Sequence, residues 1–178
     1  MTRMFNDPLL GTARVLILIA MAGVGAGAVL CLLGIPLTLF GRTALLQAIM
    51  EELPDTPASS TVWAIVGLLV LTTALLALVF LFLRQMKRII DTVAEGDPFI
   101  PGNADRLRSM AWLMLGVQVL AIAVGTLGDY IEQAVKGELQ SLSFEFDVNS
   151  LALILVLFIL ARVFRRGADM RDELEGTV

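Results

Sequence analysis

Histidine is absent from this sequence, cysteine and tyrosine occur once each, and only 17% of the 178 residues are charged. Each shortage excludes something. Without histidine the chain lacks the commonest metal ligand and the usual general base near neutral pH. A lone Cys31 forms no intramolecular disulfide, and its place within an apolar run reads as a small buried hydrophobe. The net charge is only −4, with no basic arm or stripe of the kind that nucleic-acid binding requires. There is no phosphate-binding glycine loop, no nucleophile elbow and no carboxylate pair of defined geometry. The expectation is a chain that is not an enzyme, carries no cofactor or metal and makes no direct contact with nucleic acid.

What the chain has is hydrocarbon. Apolar residues make up 57% of it, and mean hydropathy is +0.84. Soluble domains sit nearer half apolar and a quarter charged. The excess lies in long uncharged runs at 15–41, 57–83 and 109–128, each long enough for a helix across a core that needs about 20 residues. A fourth run, 148–161, has only 14 residues before Arg162. Arg162 can snorkel, so that the helix extends through Val163 and Phe164. Ala20-Met21-Ala22 resembles a leader cleavage site, but the apolar stretch continues well beyond it, which fits an anchor. These runs predict an all-α integral membrane protein, a bundle of four transmembrane helices forming one membrane domain over 1–178. The expected spans are 15–40, 61–83, 109–128 and 148–164, with a loop at 84–108 and a tail at 165–178.

Positive charge sets the orientation, because lysine and arginine in short loops favour the cytoplasmic side. Arg3 and Arg14 precede the first span, and Arg84, Lys87, Arg88, Arg106 and Arg108 lie between the second and third. Arg162, Arg165, Arg166 and Arg171 follow the fourth, so that eleven of the thirteen positive residues share one side. Arg42 and Lys136 alone fall opposite. The expectation is therefore a multi-pass protein of a bacterial inner membrane with both termini cytoplasmic. Trp112 near the inner interface and Trp63 near the outer one match an aromatic belt.

Between the spans, Leu45, Leu46, Ile49 and Met50 mark a helical stretch that breaks at Pro54-Asp55-Thr56-Pro57. Ser143-Phe144-Glu145-Phe146-Asp147-Val148-Asn149 alternates polar and apolar residues, which predicts a short extended segment in the second outer loop. Glu51, Glu52, Asp55, Glu132, Glu138, Glu145 and Asp147 give the outer side a solvated acidic face. On the inner side, Met86, Ile89, Ile90 and Val93 fall at helical spacing, so the second span should continue as an amphipathic helix ending at Gly96. Asp97-Pro98 makes a turn, Phe99 and Ile100 form an apolar knob, and Asn103 is placed as the N-cap of the next helix. The acidic end of the tail is placed to pair with Arg84, Arg106 or Arg108.

The first span holds Gly23-x-x-x-Gly27 among several small residues, a surface on which another helix can approach closely. Packing within the bundle is the plainer reading and homo-oligomerisation the sharper one. Pro36 should kink this span. No ionisable residue lies at mid-bilayer, and the polar residues there are Thr72, Thr73, Gln118 and Thr126.

Two segments carry a family resemblance. Gly96-Asp97-Pro98-Phe99 followed by Asn103-Ala104-Asp105-Arg106-Leu107-Arg108 is one, and Ala161-Arg162-Val163-Phe164-Arg165-Arg166-Gly167 through Glu173-Leu174-Glu175-Gly176-Thr177-Val178 is the other. Together with the spans, they resemble the domain of unknown function 2975 family of bacterial membrane proteins. The resemblance implies a four-span inner-membrane protein, often encoded beside a small helix-turn-helix regulator, and it supplies no catalytic residues. Members commonly end in a Leu-Thr-Val/Ile-like tail, from which Gly176 before Thr177-Val178 departs.

The distinctive polar chemistry thus sits at the cytoplasmic face. Asp97, Pro98, Phe99, Asn103, Arg106, Arg108, Arg162, Arg165, Arg166 and Glu173 are the candidate partner-binding residues, and Gly23 and Gly27 the candidate helix-packing residues. The leading expectation is a membrane-bound regulator or scaffold, embedded in the lipid bilayer, that binds a cytoplasmic protein such as that regulator. The alternative is a small-solute or lipid transporter or channel subunit using a cavity near Gln118 and the glycine-rich first span.

Overall fold

A computed structural model describes residues 8–52, 58–134 and 148–175. Five helices follow one another: α1 (Pro8–Phe40), α2 (Arg42–Glu52), α3 (Ala58–Ala94), α4 (Pro101–Ala134) and α5 (Val148–Glu175). Among the described residues there is no strand. Val148 and Asn149 open α5 instead of ending an extended segment, because the apolar run that follows them continues at helical spacing; the rest of the alternating stretch lies outside the described residues. Most of the acidic residues expected on the outer side and the Gly176-Thr177-Val178 end lie outside them as well.

Three helical stretches, Leu10–Phe40, Ser59–Ala94 and Pro101–Ala134, are long and apolar enough to cross a membrane. Their most apolar windows are only 6%, 6% and 28% buried within the protein. Leu16, Leu30 and Leu37 are 66%, 69% and 75% exposed. Apolar surface on this scale suits hydrocarbon, where a helix satisfies its own backbone groups and its side chains need no other cover. Pro36 is accommodated inside α1 without ending it. Thr38 and Thr73, both part-buried, each donate their hydroxyl to the carbonyl four residues back, at 2.7 Å, so that neither is left unpaired in apolar surroundings.

The chain forms two compact units. One comprises Met1–Val24, Leu78–Gly116 and Asp147–Val178. Its core joins Leu107, Met110 and Ala111 of α4 to Leu157 and Ala161 of α5. Phe82 and Ile89 of α3 and Phe158 and Phe164 of α5 pack around it. The amphipathic continuation of α3 predicted from Ile89 and Val93 is therefore real, and Ile89 is the residue that docks it.

The other unit comprises Gly25–Ala77 and Val117–Phe146. Here glycines let helices approach closely. A Cβ on Gly67 of α3 would stand 3.2 Å from Leu127 Cδ2 of α4, and one on Gly34 of α1 3.4 Å from Leu69 of α3. Thr61, Val62, Ala64, Gln118, Val124 and Ile131 are buried in this unit. At its edge, α2 sets the Arg42 guanidinium 5.3 Å from the centre of the half-exposed Trp63 ring, a cation–π contact. Tyr130 donates to Ser60 at 3.3 Å.

A Gly67→Val substitution forces a branched side chain into the Leu127 contact. It should lower the melting temperature of the detergent-solubilised protein, at a cost of about 1–3 kcal/mol. Gly11→Ala, at a glycine whose Cβ would meet nothing within 4 Å, should instead be neutral or stabilising.

Candidate functional site: the basic end of α3, α4 and α5

The α3–α4 connection is short and tightly specified. Ala94 is the last residue of α3, and Gly96 takes a φ of 90°. Its amide donates to the Val93 carbonyl at 3.1 Å, and the Asp97 amide donates to Thr92 at 3.2 Å. Both bonds together make a Schellman motif, and the left-handed residue is the glycine that tolerates it. Pro101 then opens α4, at the position where a missing amide hydrogen costs nothing.

Asn103 is consequently the third residue of α4 and not its N-cap, because proline starts the helix two residues earlier. Its side chain has other work. It is fully buried, and its Nδ2 donates to the Pro98 carbonyl and to Thr92 Oγ1, both at 2.9 Å. Its Oδ1 accepts from Arg106 Nη1 at 2.8 Å. Thr92 passes its own proton back to the Ile89 carbonyl at 2.8 Å, and Arg106 also reaches the Arg88 carbonyl at 3.3 Å. One amide side chain therefore ties the end of α3, the turn and the start of α4 together.

On the other side of the turn, Phe99 seats on α5. Its ring centre lies 5.1 Å from that of Phe164. A Cβ on Gly167 would come within 2.8 Å of Phe99 Cδ1, closer than real carbon atoms pack. Ala168 beside it is buried. Phe164, Gly167, Ala168 and Arg171 fall at i, i+3, i+4 and i+7, one stripe of the helix facing inward. Arg171 pairs with Asp97, and six residues earlier Arg165 pairs with Asp105. The pairing thus runs opposite to expectation: tail arginines meet loop acids. The inward stripe carries Arg171, whereas Asp169, Asp172 and Glu173 project into solvent. α1 joins the same unit through Arg14, 3.3 Å from Asp91 Oδ1, while Lys87 holds the other Asp91 oxygen at 2.9 Å.

The candidate residues divide accordingly. Asp97, Pro98, Phe99, Asn103, Arg106 and Arg165 are brought together and engaged in holding the turn against α5. Arg108, Arg162, Arg166 and Glu173 are exposed and make no ion pair among the described residues. A Cβ on Gly27 would stand 3.5 Å from Leu76 Cδ1, whereas one on Gly23 would meet nothing within 4 Å. Gln118 is buried in the unit that does not contain this site. Sequence reading passed over Thr92, Asp91 and Gly167. Of these, Gly167 had a signal: a glycine inside a helix costs about 1 kcal/mol relative to alanine and so calls for a packing reason.

Asn103→Ala should destabilise the protein by about 2 kcal/mol or more, since the Pro98 carbonyl and the Arg106 guanidinium lose a buried partner. Gly167→Ala gives a test of sign. Helix propensity alone favours alanine by up to about 1 kcal/mol, yet the substitution should lower the melting temperature because it displaces Phe99. Arg171→Ala should cost less than about 1 kcal/mol, and less still at high salt, because that pair is half-exposed.

No curated protein and no solved structure matches the chain. One family model does, that described as "Protein of unknown function (DUF2975)", over residues 44–178. That range includes α3, α4, α5 and the whole of the Asn103–Phe99–Gly167 arrangement, and the chain belongs to this family.

Proposed function

We propose that the protein is a non-enzymatic inner-membrane regulator or scaffold, whose basic end is a docking platform for a cytoplasmic protein. One observation carries the reading. The inward stripe of α5 is anchored, so the opposite stripe is presented on a fixed support. Arg166, Asp169, Met170 and Glu173 fall at i, i+3, i+4 and i+7 on that outward face, and all are exposed. Met170 is 59% exposed. An apolar, adaptable centre within a charged rim is the composition of a protein-binding patch. The partner class is a small helix-turn-helix regulator, as the family resemblance implies.

The topology that goes with this reading has four spans and both termini in the cytoplasm. Eleven of thirteen positive residues on one side support it. α5 is the short span: 17 residues from Val148 to Phe164 rise ~25 Å, which a locally thinned bilayer and a snorkelling Arg162 accommodate.

Two measurements test these statements. With Cys31 replaced, Arg3→Cys and Arg166→Cys should react with an impermeant thiol reagent only after the inner face is opened, and Lys136→Cys in intact spheroplasts. Labelling of Arg166→Cys from outside would overturn the four-span reading. The helix-turn-helix regulator should co-purify with the wild-type protein and be lost on Met170→Asp with Arg166→Glu. Retention of the regulator by that variant would overturn the platform, and solute flux by the purified protein in liposomes would favour transport instead.

A further inference from the structure

Of the arginines that make no ion pair among the described residues, Arg108 and Arg162 line the same cleft. Its volume is about 260 Å³, and Ala104, Asp105 and Arg108 of α4 line it together with Phe158, Ala161, Arg162 and Arg165 of α5. Arg165 is paired with Asp105. Arg108 and Arg162 are exposed, with no ion pair among the described residues. The cleft therefore holds three guanidinium groups against one carboxylate, and that carboxylate is taken by Arg165, which leaves Arg108 and Arg162 as the excess positive charge.

What lies next to the charge decides the ligand class. On α5, Leu151, Leu155, Phe158, Arg162 and Arg165 follow one another at intervals of three and four and so form a single stripe. Leu151 and Leu155 are 39% and 61% exposed. On α4, Trp112 stands one turn from Arg108, is itself exposed, and meets Phe158 edge-on with ring centres 5.7 Å apart. On α5 the order from the charged end is thus arginine, aromatic ring, aliphatic surface, and on α4 Arg108 is followed one turn on by Trp112. That is the profile of a phospholipid: phosphate, interfacial glycerol and acyl chain. A soluble anion would use the arginines alone and leave the aromatic and aliphatic part without purpose.

We propose that this cleft is a binding site for an anionic phospholipid. The phosphate is held between the Arg108 and Arg162 guanidinium groups, and an acyl chain lies over Phe158 and along Leu155 and Leu151. Guanidinium forks match phosphate oxygens, and basic pockets between helices at the inner interface are where such headgroups collect. Arg165 is committed to Asp105 and is not one of the phosphate ligands. The proposal rests on α5 being a membrane span, as in the topology above.

Native mass spectrometry of the full-length protein, delipidated in detergent and titrated with phosphatidylglycerol, cardiolipin or phosphatidylcholine, reads the site directly. The wild type should retain the anionic lipids in preference to phosphatidylcholine. Arg108→Ala with Arg162→Ala should weaken that retention about tenfold or more. Arg84→Ala with Arg88→Ala removes the same charge at exposed positions of α3 away from the cleft and should leave it unchanged. Inorganic phosphate at millimolar concentration should not displace the lipid. Equal loss in both double variants, equal retention of phosphatidylcholine, or displacement by inorganic phosphate would each overturn the site. Thermal melting of the same variants shows that they are folded, and the Arg166→Cys labelling above decides the span separately. A correctly inserted α5 with lipid retention unchanged in Arg108→Ala with Arg162→Ala would thus refute the lipid site alone.

Discussion

An amide side chain with no exposed surface must find its hydrogen bonds within the protein, and Asn103 finds them in three separate segments. Its amide nitrogen is committed to Pro98 and Thr92 and its oxygen to Arg106. Unpaired, each of these groups would carry a desolvation cost of about 1–3 kcal/mol, so the turn has one conformation in which all are satisfied. The position of Phe99 follows from that conformation. Once the backbone at Pro98 is fixed by its carbonyl, the next side chain is directed onto α5, where the absence of a side chain at Gly167 leaves room for the ring.

The exposed charges play a smaller part in holding this end together. The Arg165–Asp105 and Arg171–Asp97 pairs are between one-third and two-thirds exposed, and pairs in that range contribute less than about 1 kcal/mol each. They add to an orientation of α5 that the packing of Phe99 against Phe164 and Gly167 already favours. The stripe with Phe164, Gly167, Ala168 and Arg171 is thereby turned inward, and Arg166, Met170 and Glu173 are turned outward. Arg108 and Arg162 make no ion pair among the described residues in this arrangement.

Much of the architecture was legible in the residues because membrane spans depend on quantities that a sequence states directly: run length and absence of charge. The three long runs became three long apolar helices. α2 and the continuation of α3 were visible in the spacing of Leu45, Ile49, Ile89 and Val93. The end of α3 was legible at Gly96, because a positive φ selects for glycine. Less legible was anything that depends on which residues meet across space. Asn103 looks like an N-cap from its neighbours alone, and only the position of Pro101 and the proximity of Thr92 reveal a buried hub. The direction of ion pairing was similarly hidden. Acids and bases alternate along the tail, so that a rotation of α5 by a third of a turn exchanges the two sets.

Hydrogen exchange at residues 95–103, followed in the full-length protein reconstituted in nanodiscs, tests most directly whether this turn is a fixed element. The Asp97 and Asn103 amides are bonded to Thr92 and Ile100, so they should exchange at rates comparable with the adjoining ends of α3 and α4. Gly167→Leu should raise exchange in this segment selectively. Exchange at the rate of an unstructured peptide in the wild type, or a segment indifferent to Gly167→Leu, would contradict the account.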